Sequence, residues 1–226
     1  MSSGLKAVLF DLDGTLIHSL PDLAAAVNRL LASERRAPLS DDAVKAMVGD
    51  GAHTLVERAF SARGGLPGSD VRPYLARFLD DYEARSVETT VPWPGVPQTL
   101  AYLKADGLRL AVCTNKPSKA TADILQALNL SHFFDLVVGA DDTPALKPDP
   151  VHVTVILERL GVTAEQAVMV GDSANDILSA KAAGVRTIAL SFGYAHGPVE
   201  DLGADVILDG YSELPLALTR MNLSID

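Results

Sequence analysis

Lys6-Ala7-Val8-Leu9-Phe10-Asp11-Leu12-Asp13-Gly14-Thr15 is the stretch on which the reading of the whole chain turns. An apolar run of strand length ends abruptly in two carboxylates and a glycine. Open parallel sheets bind ligands beyond the carboxyl ends of their strands, so polar residues placed directly after such a run are candidates for a site. Residues i and i+2 of an extended chain point the same way, which lets Asp11 and Asp13 face one site. Two carboxylates this close resist simultaneous ionisation unless a cation separates them. Mg²⁺, a hard ion that takes oxygen ligands and keeps some of its water, suits the pair. The same residues also make an ordinary Asp-rich turn with Gly14 at positive φ. Taken alone, the stretch leaves both readings open.

Outward from this point, short apolar runs alternate with amphipathic segments, the pattern of a parallel α/β sheet. Strands are expected at Lys6–Phe10, Arg109–Cys113, Leu136–Val138, Ala167–Val170, Arg186–Leu190 and Asp205–Leu208. Helices are expected near Pro97–Ala105, Lys119–Leu128, Val151–Leu160 and Asn175–Ala183, with Gly107, Gly161 and Gly184 as C-terminal caps. From about Pro21 to Arg85 the alternation stops. Leu23, Val27, Leu30 and Leu31 share one helical face, as do Leu55, Val56, Ala59 and Phe60, then Leu75, Phe78, Leu79 and Tyr82. About seventy residues is too long for an ordinary crossover, so this interval reads as an inserted helical domain.

The chain has 226 residues, enough for one core domain with a small insert. Its net charge of −10 opposes a nucleic-acid or anionic-membrane surface. An acidic protein that takes an anionic substrate must then gather positive charge locally. Cys113 is the sole cysteine, which excludes a disulfide framework and a cysteine-based zinc site. The N-terminal residues carry no long apolar segment and no stretch reaches the ~18 apolar residues of a membrane span, so a cytoplasmic enzyme is expected.

Three further clusters follow apolar runs. Thr114-Asn115-Lys116 offers a hydroxyl and turn amides that can hydrogen-bond phosphate oxygens, although it is also a serviceable turn into a helix. In Lys147-Pro148-Asp149-Pro150 the prolines are expected to hold the backbone extended and so to aim Lys147, the cation the acidic protein needs. In Gly171-Asp172-Ser173-Ala174-Asn175-Asp176, a helix starting near Ser173 puts Asp172 and Asp176 on one side, fit for a cation. An Asp N-cap with a first-turn carboxylate explains the same residue types. Together the four clusters supply a nucleophile, a second carboxylate, a cation site and phosphate donors.

In order, spacing and context these clusters resemble the motifs of the haloacid dehalogenase superfamily, with Asp11–Thr15 matching its DxDGT signature. The resemblance implies a Rossmann-like, doubly wound parallel sheet core with an inserted C1-type helical cap: residues 1–16 and 92–226 as core, 17–91 as cap. Val48-Gly49-Asp50-Gly51-Ala52, Gly139-Ala140-Asp141-Asp142 and Phe192-Gly193-Tyr194 are similar to the bacterial phosphoglycolate phosphatases in particular. His18 stands where such proteins usually carry Asp, and a changed cap hinge or hydrogen bond is expected there. By resemblance, Asp11 attacks phosphorus and binds Mg²⁺. Asp13 serves as acid and then base, with its carbonyl on the metal, and is expected to stay protonated because it neighbours negative charge. Thr114 and the Asn115 amide hold phosphate oxygens, and Lys147 neutralises the phosphoryl group. Asp172 is a second metal ligand, and Asp176 holds a metal-bound water.

The implied activity is hydrolysis of a small phosphate ester, foremost 2-phosphoglycolate. Sugar phosphates and pyrophosphate stand as alternatives within the family. A phosphosugar mutase is disfavoured by Thr15, and haloacid dehalogenation by Asp13. A receiver domain, which needs a long-lived acyl-phosphate, is opposed by Asp13, the insert and the chain length. Gly49-Asp50-Gly51 is expected either to bring backbone amides to a small carboxylate or simply to break two helices apart. Arg58 and His53 either reach substrate or lie on a solvated helix face.

Overall fold

A computed structural model describes residues 4–223; residues 1–3 and 224–226, at the ends of the expected core, lie outside it. In chain order the elements are β1 (Ala7–Phe10), β2 (Ile17–His18), α1 (Leu20–Ser33), α2 (Asp41–Lys45), α3 (Gly51–Ser61), α4 (Arg72–Glu83), β3 (Val91–Pro92), α5 (Val96–Ala105), β4 (Arg109–Cys113), α6 (Ser118–Ala127), β5 (Leu136–Val138), α7 (Val151–Leu160), β6 (Ala167–Gly171), α8 (Ala174–Ala182), β7 (Arg186–Leu190), β8 (Val206–Leu208) and α9 (Leu214–Leu223). Six of the strands form one parallel sheet in the order β5-β4-β1-β6-β7-β8. All six runs expected as strands lie in it.

Side chains alternate between its two faces. Val8 and Phe10 join an apolar cluster with Leu100 and Leu103 of α5 and Leu214 and Leu218 of α9. Ala7 and Leu9 point the other way, into a cluster with Val153 and Ile156 of α7 and Ala180 of α8. Each large apolar side chain buried this way contributes about 1.5–3 kcal/mol. Helices therefore cover both faces, and the fold class is the expected one. Gly107, Gly161 and Gly184 have φ of +85°, +62° and +76°, so all three occupy the left-handed conformation that ends a helix without a Cβ penalty.

Register sets up the site. Phe10 lies opposite Val112 on one side and Val170 on the other. The next residues of β1, β4 and β6 therefore emerge side by side at one end of the sheet. From β1 the chain runs outward through β4 and β5 and then returns to the other side of β1 with β6, so the switch point at which such sheets open a crevice lies between β1 and β6.

The residues between β2 and β3 are helical throughout their regular structure, as expected, and α1 packs on α2, α3 and α4. The three apolar faces are buried, except that Leu75 and Leu79 are only partly so. β2 and β3 pair antiparallel, Ile17 opposite Pro92, where the chain enters and leaves the helices. A clasp reinforces that crossing. Asp22, on α1, accepts from the Thr90 amide at 2.8 Å, the Thr90 hydroxyl at 2.7 Å, and the amide and hydroxyl of Thr89 at 3.0 and 2.5 Å. Burial pushes the Asp22 carboxyl up, but these hydrogen bonds outweigh it and hold it below the usual range. Among the described residues no helix is long and apolar enough to cross a membrane.

Candidate active site

Asp11 follows β1 directly, and its side chain is 13% exposed at the bottom of a cleft between the sheet end and the helices. The Lys147 ammonium donates to Asp11 Oδ1 at 2.9 Å, to Asp176 Oδ1 at 2.6 Å and to the Cys113 carbonyl at 2.6 Å. Asp172, after β6, accepts from the Thr15 hydroxyl at 2.6 Å and the Tyr194 amide at 2.6 Å. The structure thus brings Asp11, Asp172, Asp176 and Lys147 together, though 165 positions separate the first from the last carboxylate in the chain.

The carboxylates of Asp11, Asp172 and Asp176 offer oxygens that all lie within 4.8 Å of one another. Burial, with Asp176 and Asp13 nearby, raises Asp11 to about 7 despite Lys147. Burial and the charges of Asp176 and Asp11 raise Asp172 as well. One ammonium among three buried carboxylates leaves a deficit of positive charge, and the donors are all hard oxygens, so a divalent cation such as Mg²⁺ fits them. Space is held open for Asp172 by glycines. A Cβ on Gly14, at φ +87°, would fall 2.4 Å from Asp172 Oδ2, and one on Gly193 would fall 2.2 Å from Asp172 Cβ.

Asp176 satisfies both readings of its sequence. Its Oδ2 accepts from the Ser173 amide and hydroxyl at 3.0 and 2.7 Å, closing a capping box on α8, while Oδ1 meets Lys147. Ser173, not Asp172, is the N-cap. The loop carrying Lys147 departs from expectation. Lys147-Pro148 is a cis peptide, and the Asp149 amide donates to the Leu146 carbonyl at 2.9 Å, so the segment is a turn and not an extended run. A proline amide accepts the cis form, which sequence alone does not announce. Lys147 is aimed instead by Asn115, whose side chain accepts from the Lys147 amide and donates to its carbonyl, both at 2.9 Å.

Asp13 faces the same cleft with different company. The Lys116 ammonium donates to its two oxygens at 3.2 and 3.0 Å and to the Tyr82 hydroxyl of α4 at 2.9 Å, and Ser19 Oγ donates to Asp13 at 2.5 Å. Asp13 neighbours the negative charge of Asp11, as expected, but its direct partner is an ammonium, because Lys116 folds back along the sheet end. Thr114 and Asn115 line the cleft beside them. Ser19 carried no assigned role in the sequence, Tyr82 only a place on an apolar helix face and Lys116 only one in a turn, since a lysine in a turn signals nothing until its partner is known.

The helical segment touches the site through its second loop. The Gly49 carbonyl accepts from Asn115 Nδ2 at 2.9 Å and Asn175 Nδ2 at 3.2 Å. Its carbonyl, and not an amide, makes the contact. Arg58 pairs with Asp50 at 2.5 Å, and His53, 55% exposed, with Glu57 at 3.5 Å, so neither reaches the cleft. His18, in β2, meets the Tyr194 hydroxyl at 3.0 Å, and its ring lies 4.8 Å from that of Trp93.

A family model for haloacid dehalogenase-like hydrolases matches residues 8–190, from β1 through β7. The chain belongs to that family. Phosphoglycolate phosphatases from Caulobacter vibrioides and Rhodospirillum rubrum are each 46% identical to it, over 93% and 92% of this chain and 89% of each relative. The crystal structure of a predicted phosphoglycolate phosphatase from Haemophilus somnus 129pt matches at a TM-score of 0.91 and 33% identity, covering 97% of this chain and 99% of that one. CbbY from Rhodobacter sphaeroides, solved in complex with phosphate, matches at 0.82 and 27% identity, covering 95% and 98%.

Proposed function

We propose that this hydrolase converts 2-phosphoglycolate to glycolate and phosphate through an aspartyl-phosphate on Asp11, with Mg²⁺ bound by Asp11, Asp172 and the Asp13 carbonyl. Residues 17–91 act as a cap over a core made of residues 1–16 and 92–226, and the enzyme works in the cytoplasm. The observation that carries the chemistry is the pairing of Asp11 with Lys147 at 2.9 Å in a pocket that also collects Asp172 and Asp176. The substrate is supported by the relatives named for it. Bound Mg²⁺ supplies charge stabilisation at the phosphoryl oxygens.

Asp11 Oδ forms a bond to phosphorus as the bond to the ester oxygen breaks. The electron pair leaves with that oxygen, which takes a proton from Asp13. Thr114 and the Asn115 amide hold phosphate oxygens, and Lys147 offsets the charge of both nucleophile and phosphoryl group. Water then adds to phosphorus while Asp13 accepts its proton. The Asp11–phosphorus bond breaks, and the starting carboxylate returns with free phosphate. Asp176 orients Lys147 and would, with Asp11 and Asp172, help to hold the cation and its hydration. Phosphate release from a panel of small monoesters, with and without chelator, tests the reading. The expected result is preference for 2-phosphoglycolate, loss of turnover on chelation, and an acid-quenched phosphoryl group on the peptide carrying Asp11. A poor rate on 2-phosphoglycolate beside a good rate on another ester would overturn the substrate and leave the chemistry.

A further inference from the structure

We infer that Lys116 selects the substrate: its ammonium takes the carboxylate of a carboxymethyl phosphate and, by doing so, frees Asp13 to transfer a proton. This rests on the function proposed above and names the group that chooses the ester.

Apart from Lys147, held on Asp11 at the floor, Lys116 is the sole cation among the described residues lining the cleft. Its side chain is 5% exposed, and the ammonium lies 4.4 Å from the Tyr82 ring centroid, against an otherwise apolar wall that includes Leu23, Leu55 and Phe78. Asp13 is its only anionic partner in the structure's described residues. When Asp13 turns from Lys116 to the leaving oxygen, Lys116 loses its counter-ion. A buried ammonium left without one is costly. An ester whose leaving group ends in a neutral alkyl or hydroxyl cannot replace the lost charge. A carboxylate one methylene from the leaving oxygen can, because that oxygen is served by Asp13 and Lys116 lies 3.0 Å from Asp13. The swap makes proton transfer conditional on an anionic leaving group. Sites built around a charged partner reject analogues lacking it more strongly than apolar pockets do.

The test compares 2-phosphoglycolate with 2-hydroxyethyl phosphate, its neutral analogue, in the wild-type protein, K116M and K116R. The readout is the ratio of kcat/KM for the two esters on one preparation, which does not depend on the fraction folded. K116M is expected to lower this ratio about 10- to 100-fold, the worth of a charge-assisted hydrogen bond, with much of the loss in KM for 2-phosphoglycolate. K116R is expected to recover most of it. An unchanged ratio in K116M, with both esters slowed equally, would show that Lys116 serves the shared phosphoryl chemistry and overturn the inference. A wild-type enzyme without preference for 2-phosphoglycolate would instead overturn the function on which the inference rests.

Discussion

Asp11 and Asp13 are two residues apart and each meets a buried lysine, yet the two pairs are built differently. Lys147 reaches Asp11 from within the sheet end, held by Asn115 and Asp176, and every partner in that cluster comes from an element flanking the parallel sheet. Lys116 reaches Asp13 from the same sheet end but finishes on Tyr82 of α4. The floor of the cleft is therefore closed on itself, whereas its roof is shared between sheet and helices. A floor of that kind suits chemistry common to many esters. A roof that spans two parts of the molecule can respond to what lies between them.

Removing the floor cation should have the largest effect. Lys147→Met strips the counter-ion from Asp11 and Asp176, and in chelator-treated protein at pH 8 it is expected to cost about 3–5 kcal/mol in urea unfolding, along with turnover. A variant as stable as the parent would mean that the floor does not depend on its lysine. Asp13→Asn tests the roof. Its turnover is expected to fall about 10²- to 10⁴-fold while phosphate still binds, read by steady-state kinetics and product inhibition. Near-normal turnover would remove Asp13 from proton transfer.

The smallest effect belongs to a carboxylate outside both regions. Asp22→Asn should cost about 1.5–3 kcal/mol, because the hydrogen bonds from Thr89 and Thr90 are made to a charged acceptor. The Asp22 carboxyl is held below its usual range. Its contribution is therefore complete above the ordinary carboxylate pKa of about 3.9 and is lost as pH falls through its lower folded value. Thermal melts of the two proteins should differ above about pH 4 and converge in stronger acid. Parallel curves down to the lowest pH would exclude the clasp as the cause.

Legibility followed the length of the signal. β4, β5 and β7 are runs of three to five residues bounded as the sequence suggested, since apolar runs flanked by turn residues leave little choice. β2 and β3 are two residues each and contain Pro92, too short for any alternation to show. The five-residue α2 escaped for the same reason. In the site, Asp11 and Asp172 were legible because each directly follows an apolar run, and register brings those ends together; Lys147, nine residues past β5, and Asp176, in α8, were legible through the motifs that contain them. Lys116 was visible only as part of a turn. Its meaning depends on Asp13 and Tyr82, which lie 103 and 34 positions away in the chain. The turn at Lys147 was misjudged because proline limits the backbone without choosing its isomer.

The sheet ends on β5 at one side and β8 at the other, each three residues long. An edge strand with unpaired amides and carbonyls is a template for a second chain, and its danger grows with its length. The longer strands β1, β4, β6 and β7 all lie inside, with both edges hydrogen-bonded. The arrangement that gathers the carboxylates of the cleft at the centre also leaves little backbone on which copies of the protein can aggregate.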